Sequence, residues 1–244
     1  MSRFFVAYLC GMEELNIFTI TAAIADPVRL SVMMYLMRGE ASVTEMINHL
    51  EVSQSNLSNH LAVLKNAGLI KATPAGRQKI YELANADVAQ LIELLQNLQP
   101  TPKKVGEVKP IQMARTCYDH LAGKLGVGVF NALMAQGAIE FDADEIAKNK
   151  RLMAKAVIPG PNAAPVFNKL GVTIPQAKGV SRKYAFGCMD WTEKTPHLAG
   201  ALGAAVCKAF FDQQWVVRKN GSRTVTVTPT GRQALKNLIN LDIE

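Results

Sequence analysis

The run Ser42-Val43-Thr44-Glu45-Met46-Ile47-Asn48-His49-Leu50-Glu51-Val52-Ser53-Gln54-Ser55-Asn56-Leu57-Ser58-Asn59-His60-Leu61-Ala62-Val63-Leu64-Lys65-Asn66-Ala67-Gly68-Leu69-Ile70 decides the fold. Ser42 and Glu45 make an S-x-x-E capping box, in which each side chain satisfies a backbone N–H at a helix start. This predicts a helix from Ser42 with Met46, Ile47 and Leu50 on its apolar side. A second helix is predicted from Ser53, with Leu57, Leu61 and Leu64 on one face. Gly68 ends it, because glycine alone enters a left-handed cap without steric cost.

The opposite side of the second helix carries Ser55, Ser58 and Asn59, small and uncharged where a solvated face usually carries Lys and Glu. Hydroxyls and amides donate and accept hydrogen bonds, as reading base edges in a major groove requires. A hairpin is predicted next, with arms Leu69–Ala72 and Lys79–Leu83 around the tip Pro74-Ala75-Gly76-Arg77. A β wing with a basic tip beside such a helix suits phosphate or minor-groove contact. Ser53 then caps the helix. Gln54, Ser55, Asn56, Ser58, Asn59 and His60 read bases or position the helix, and Lys65, Arg77 and Lys79 bind phosphates or the minor groove.

Four segments carry a resemblance: Ala25-Asp26-Pro27-Val28-Arg29-Leu30, Val52-Ser53-Gln54-Ser55, Leu57-Ser58-Asn59-His60-Leu61-Ala62-Val63-Leu64 and Ala67-Gly68-Leu69-Ile70. Together they resemble the winged helix-turn-helix of the ArsR/SmtB transcriptional repressors, over roughly Glu13 to Gln99. The resemblance implies a homodimer that binds a double-stranded DNA operator and is released by an effector; the few scattered cysteines point to a reducing cytoplasm. The resemblance also implies that the helix predicted over 85–98 pairs with the first helix across the dimer. Arsenic-sensing members carry Cys-x-Cys where this chain has Ser42 and Thr44. Zinc-sensing members carry Asp and His on the last helix of the domain, where this chain has Asp87 but no His. An ion sensed at all would therefore be sensed in the second half.

The chain has 244 residues, 49% of them hydrophobic, enough for real cores. No apolar run reaches the roughly 18 residues of a membrane helix, so no membrane partner is expected. The first ten residues faintly resemble a signal peptide but lack a small-residue cleavage site; they read as a docking segment, or Met12 as an alternative start. Four scattered cysteines (Cys10, Cys117, Cys188, Cys207) do not make a disulfide scaffold. The net charge of +7 is uneven. Residues 1–100 hold 7 Lys+Arg against 9 Asp+Glu, which leaves 20 against 11 for residues 101–244. That positive half either touches phosphates too or is a solvated face.

Along the chain, 1–12 is an N-terminal extension and 13–99 the winged domain. The proline-rich stretch 100–111 is a linker, and 112–244 is an effector domain with an internal repeat. The first helix is predicted over Glu13–Ile24, with Ile17 and Phe18 apolar. The next is capped by Asp26, opened by Pro27, and lined by Leu30, Met33, Met34 and Met37. In the second half, His120-Leu121-Ala122-Gly123-Lys124-Leu125-Gly126 recurs as His197-Leu198-Ala199-Gly200-Ala201-Leu202-Gly203. This predicts two copies of one helical unit in pseudo-two-fold packing. The second copy runs into a hairpin, Trp215–Arg218 and Arg223–Thr228 around Asn220-Gly221, and a last helix from Pro229. Arg218, Lys219 and Arg223 would be a phosphate clamp. Pro159, Pro161, Pro165 and Pro175 mark an irregular connection. The expected fold is mainly α with small β wings: a winged helix-turn-helix followed by a duplicated, degenerate winged-helix-like domain.

Each copy has a Cys-x-Asp near its histidine: Cys117, Asp119 and His120, and Cys188, Asp190, Trp191 and His197. Converging on a pseudo-axis, they offer S, N and O ligands for a metal ion, or two thiols for a redox switch. Trp191 offers instead the wall of an organic-effector pocket. The plainest alternative is structural: Cys as small hydrophobes, Asp as helix caps, His bonded to backbone. Longer ArsR-type regulators resemble this half in its Cys-Tyr-Asp-His-Leu-Ala-Gly start, without fixing an effector. The chain has no P-loop, G-x-G-x-x-G, G-x-S-x-G or H-E-x-x-H, so an enzyme is not expected. A sequence-tolerant architectural DNA-binding protein and a thiol-dependent enzyme remain the alternatives.

Overall fold

The computed structural model describes residues 12–76, 78–98, 108–144, 155–176, 182–219 and 222–243, with 12–16 as backbone only. The N-terminal segment, Arg77, most of the linker and the Asn220-Gly221 turn lie outside the described residues. The chain forms two compact units, Met1–Ala89 and Gln90–Glu244.

In the first unit, α1 (Met12–Ile24) precedes α2 (Pro27–Leu36). The Asp26 side chain accepts from the Arg29 N–H and Pro27 occupies the first helical position, so α2 starts where its sequence says. β1 (Ala41–Ser42) leads into α3 (Val43–Leu50) through the capping box, with the Ser42 N–H and hydroxyl both on Glu45 Oε2 at 2.7 Å. α4 (Gln54–Asn66) buries Leu57, Leu61 and Leu64. Gly68, at φ +70°, turns the chain into β2 (Ile70–Ala75), which pairs antiparallel with β3 (Gln78–Leu83).

Three differences from expectation have physical reasons. The wing is longer, because Pro74 pairs with Lys79 inside the hairpin; β2 is an edge strand, where a missing N–H is tolerated. The β1 strand, which pairs with β3, was not expected, since two residues carry no alternation. Met34 (40% exposed), Ile17 (60%) and Phe18 (54%) stand in solvent, while Val32, Met33, Leu36 and Met37 fill the core.

α5 (Ala86–Asn97) starts in the first unit and ends in the second. It is capped by Asn85, whose side chain accepts from the Val88 N–H. Val88, Ala89 and Ile92 are buried, and so is Glu93, while Leu98 is 80% exposed.

In the second unit a short α6 (Pro110–Met113) leads into a repeated element order. The first series is β4 (Arg115–Cys117), β5 (His120–Ala122), α7 (Gly123–Ala135), β6 (Ile139–Phe141), β7 (Val157–Pro159) and α8 (Ala163–Lys169). The second is β8 (Phe186–Met189), β9 (Pro196–Ala199), α9 (Gly200–Asp212), β10 (Val216–Arg218), β11 (Val225–Val227) and α10 (Pro229–Ile239). Each series is a hairpin, a helix, a hairpin and a helix. Their edges exchange bonds: the Thr116 N–H donates to Arg223 O, and the Gly187 N–H to Lys155 O. Gly126 and Gly203 are needed for close approach. A Cβ on Gly126 would strike Leu121 O and come to 3.4 Å of the His197 Cβ; one on Gly203 would strike Leu198 O and come to 3.3 Å of the His120 Cβ. Leu125, Phe130, Phe167, Leu202, Phe210 and Leu235 pack in one core.

Two readings of this half are corrected. Pro165 does not break an irregular connection; it sits in the first turn of α8, where its missing N–H costs nothing. Arg223 is no phosphate clamp. It is 6% exposed and donates to Glu93 Oε1 at 2.8 Å. Among the described residues no single helix is long and apolar enough to cross a membrane.

Candidate functional site

Two surfaces carry chemistry. The first is on α4 and the wing. Ser53 caps α4, its hydroxyl accepting from the Asn56 N–H at 3.4 Å. Gln54, Ser55, Asn56, Ser58 and Asn59 are all exposed. Ser58 donates its hydroxyl to Gln54 O at 2.8 Å and leaves its lone pairs outward. Lys65 and Lys79 are exposed and line, with Ser58, Ala62 and Tyr81, a concavity of about 560 Å³ between helix and wing. His60 differs: it is half-buried and its Nδ1 lies 3.6 Å from Asp26 Oδ1, so it ties α4 to the start of α2.

The second surface is internal. In β4–β5 the register sets Cys117 opposite His120; in β8–β9 it sets Cys188 opposite His197. One potential ligand atom from each of the four lies within 4.8 Å of the others, and all four residues are buried. The two imidazole centroids are 5.1 Å apart. Each ring has a carboxylate at Nδ1: His120 donates to Asp119 Oδ1 at 3.2 Å, and His197 Nδ1 lies 3.2 Å from Asp190 Oδ2. Both Nε2 atoms are buried without a hydrogen-bond partner among the described residues. The histidines therefore do not serve backbone groups, and Asp119 caps no helix, whereas Asp190 accepts the Gly123 N–H that opens α7 at 2.7 Å. Asp119 pairs with Arg182 at 2.6 Å, and Asp190 accepts from Thr192, Glu193 and Gly123.

Burial alone would raise the Asp190 carboxyl. His197, Arg115 and Thr192 outweigh it and hold Asp190 well below the ordinary carboxylate range. Burial works against a charged His197, yet Asp190 and Cys117 push its pKa up. Burial, with Cys188 and Glu93 nearby, pushes the Cys117 thiol well up, so it is protonated when nothing else compensates a thiolate. Cys207 lies apart on α9 and burial pushes it up to about 12, an inert thiol.

Asp190 connects the cluster to a chain of buried charges that the sequence did not disclose. Arg115, with no exposed surface, donates Nη2 to Asp190 Oδ2 at 2.9 Å and lies 3.9 Å from Glu93 Oε2. Glu93 in turn takes Arg223 on Oε1, while its Oε2 accepts no hydrogen bond. Trp191 lies against this chain, its ring 4.9 Å from the Arg115 guanidinium carbon, which occupies the face expected to line an organic pocket. One signal was available. Leu91-Ile92-Glu93-Leu94-Leu95 places a lone carboxylate in an apolar run, which is rarely buried without a partner.

Comparison with known proteins bears on the first surface. The profile of the family described as "Bacterial regulatory protein, arsR family" matches residues 26–72. The HTH-type transcriptional regulator YdfF of Bacillus subtilis is 32% identical over 234 residues, covering 93% of this chain and 99% of that one. The HTH-type transcriptional regulator CmtR of Mycobacterium tuberculosis is 38% identical over 88 residues, 36% of this chain and 75% of that one. Among solved structures, HlyU from Vibrio cholerae is 34% identical and covers 36% of this chain and 97% of its own, with a TM-score of 0.34.

Proposed function

The chain belongs to the ArsR family of bacterial helix-turn-helix transcriptional regulators, and on that premise we propose that it is a cytoplasmic, homodimeric repressor whose second unit holds the effector switch. What carries the reading of the first unit is the outward face of α4, exposed, polar and uncharged beside a wing bearing Lys79. Ser55, Ser58 and Asn59 read base edges, with Gln54 and Asn56 at the helix start. Lys65, Lys79 and Arg77 hold phosphates. Ser53 and His60 position the helix. The dimer pairs α1, where Ile17 and Phe18 stand exposed, with α5 across the two-fold, and places two α4 helices on half-sites about 34–36 Å apart.

The second unit consists of two copies of one unit packed about a pseudo-axis, with Cys117, His120, Cys188 and His197 converging on it. Asp119, Asp190 and Trp191 hold this centre rather than contact the effector. The effector favours a dimer whose α4 helices no longer match the half-sites.

The test is selection from a randomised duplex pool by the full-length protein. Enrichment of a two-fold symmetric site, with Asn59→Ala relaxing one position in each half, is expected. Tight binding without enrichment, with a steep salt dependence, would replace this reading with an architectural role.

A further inference from the structure

We propose that Cys117, His120, Cys188 and His197 bind one divalent, thiophilic cation of the Zn²⁺ or Cd²⁺ kind in a closed four-coordinate site, and that Asp190, Arg115 and Glu93 carry its presence to α5. The proposal deepens the functional reading above and rests on it only for the regulatory consequence.

The donor set comes first. Two sulfurs and two imidazole nitrogens are a complement that structural zinc sites use, with bonds of about 2.3 Å to sulfur and 2.0 Å to nitrogen. A tetrahedron of such bonds has edges of about 3.3–3.8 Å. The four ligand atoms, all within 4.8 Å of one another, need to close by at most about 1.0–1.5 Å.

The histidines are set as ligands. In metal sites the imidazole nitrogen away from the ion is held by a carboxylate or carbonyl, which fixes the tautomer and the ring plane. Here both rings have a carboxylate oxygen 3.2 Å from Nδ1, and both leave a buried Nε2 without a partner. An unpartnered buried nitrogen is costly, and finding the same vacancy on two facing rings points to one shared occupant. At His120 the Nδ1–H donates to Asp119, while at His197 Nδ1 lies 3.2 Å from Asp190 Oδ2 outside hydrogen-bond geometry; each Nε2 offers its lone pair once any proton it carries has left.

Charge selects the ion. Around the cluster Glu93 and Asp190 are balanced by Arg115 and Arg223, and all four are buried. Two thiolates would add uncompensated charge in a dry site. A divalent cation that displaces to solvent both thiol protons and any proton held on the two imidazoles leaves the centre neutral, whereas a monovalent ion would leave one negative charge. Hard ions such as Mg²⁺ prefer oxygen and are not served by this set.

The coupling follows from the same contacts. Cys117 and His120 belong to one hairpin, Cys188 and His197 to the other, so closing the tetrahedron draws the hairpins together. Asp190 moves with His197 and Arg115 with Asp190. Glu93 Oε2, buried without a hydrogen bond and 3.9 Å from Arg115, is the acceptor that a small shift would engage. Glu93 lies on α5, the helix that begins in the DNA-reading unit.

The experiment titrates the reduced, chelator-treated full-length protein with Cd²⁺ and Zn²⁺. We expect one equivalent bound per chain, with thiolate-to-cadmium charge-transfer absorption that is lost in Cys117→Ser and in Cys188→Ser. Zinc-edge X-ray absorption of the wild-type protein needs no variant and should show mixed nearest neighbours at about 2.0 and 2.3 Å. Metal should change affinity for the pool-selected duplex about tenfold or more. Glu93→Gln should keep the absorption and the zinc neighbours while losing most of that change, which a merely structural role would not produce. Absence of the band in wild type, or nearest neighbours of oxygen and nitrogen only, overturns the metal site and leaves sequence-specific DNA binding standing. A full band with unchanged DNA affinity overturns the coupling. If reduced protein takes no metal and affinity changes only when hydrogen peroxide joins Cys117 and Cys188 as a disulfide, releasing two waters, the pair is a redox switch and the proposal falls. Failure of the pool selection with the band intact would remove the DNA reading and leave the metal site.

Discussion

The two units place polar groups oppositely. In the first, the chemistry stands in water: Ser55, Ser58 and Asn59 sit on the exposed side of α4, backed by Leu57, Leu61 and Leu64. In the second, the chemistry is enclosed: Arg115, Asp190, His197 and Glu93 are at most 1% exposed. Exposed polar atoms exchange their waters for a partner at little cost to the fold. Buried ones hold the fold hostage to their mutual geometry, because each must be satisfied inside it. The difference teaches how one chain combines an exposed polar surface that tolerates change with an enclosed polar cluster that does not.

That contrast can be broken by substitution, and the largest effect is expected inside. Arg115→Ala would strand Asp190 and Glu93 in the core. Urea denaturation should show the protein destabilised by about 3–5 kcal/mol, the usual consequence of removing one partner of a buried ion pair. A loss within experimental error would mean that these charges are solvated and the enclosed picture is wrong.

Next comes Gly203→Ala, whose Cβ would strike Leu198 O and crowd His120. Thermal unfolding should report a cost of about 1–3 kcal/mol, as for other overpacked cores, and more than for an alanine on the exposed face of α4. On that face Asn59→Ala should weaken binding to the selected duplex by about 1–3 kcal/mol while stability stays within about 0.5 kcal/mol. Comparable losses of stability and binding would erase the distinction between the two units. The smallest effect is expected at Ser42→Ala, which removes one half of the capping box of α3. Chemical denaturation should show about 1 kcal/mol lost, with operator preference unchanged.

How far the sequence could be read differs between the units for the same physical reason. The winged unit is built from local signals: the Asp26-Pro27 start, the Ser42/Glu45 box, the Leu57/Leu61/Leu64 stripe and the Gly68 stop each act within a turn or two of helix. Those elements and the exposure of α4 were legible. Which role His60 takes, reading bases or positioning the helix, was not, because Asp26, which it faces, lies 34 residues away at the start of another helix.

In the second unit the repeated His-Leu-Ala-Gly was legible, but the hairpins preceding each copy were not. Strands of three residues, such as Arg115–Cys117, show no alternation to read. The repeat made the convergence of the two Cys–His pairs legible, but not their register. Cys117 stands three residues before its histidine and Cys188 nine before, so one tight and one long turn deliver the same register. The partners of Glu93, which are Arg115 and Arg223, are set by tertiary packing alone.

The most direct test of the account is the sequence preference of the full-length protein when Ser55, Ser58 and Asn59 are all made alanine. Binding to random duplex should persist through Lys65 and the wing, while discrimination of the selected site over random DNA should be lost and the unfolding midpoint should stay near wild type. An unchanged preference in the triple variant would contradict the assignment of α4 as the reading helix.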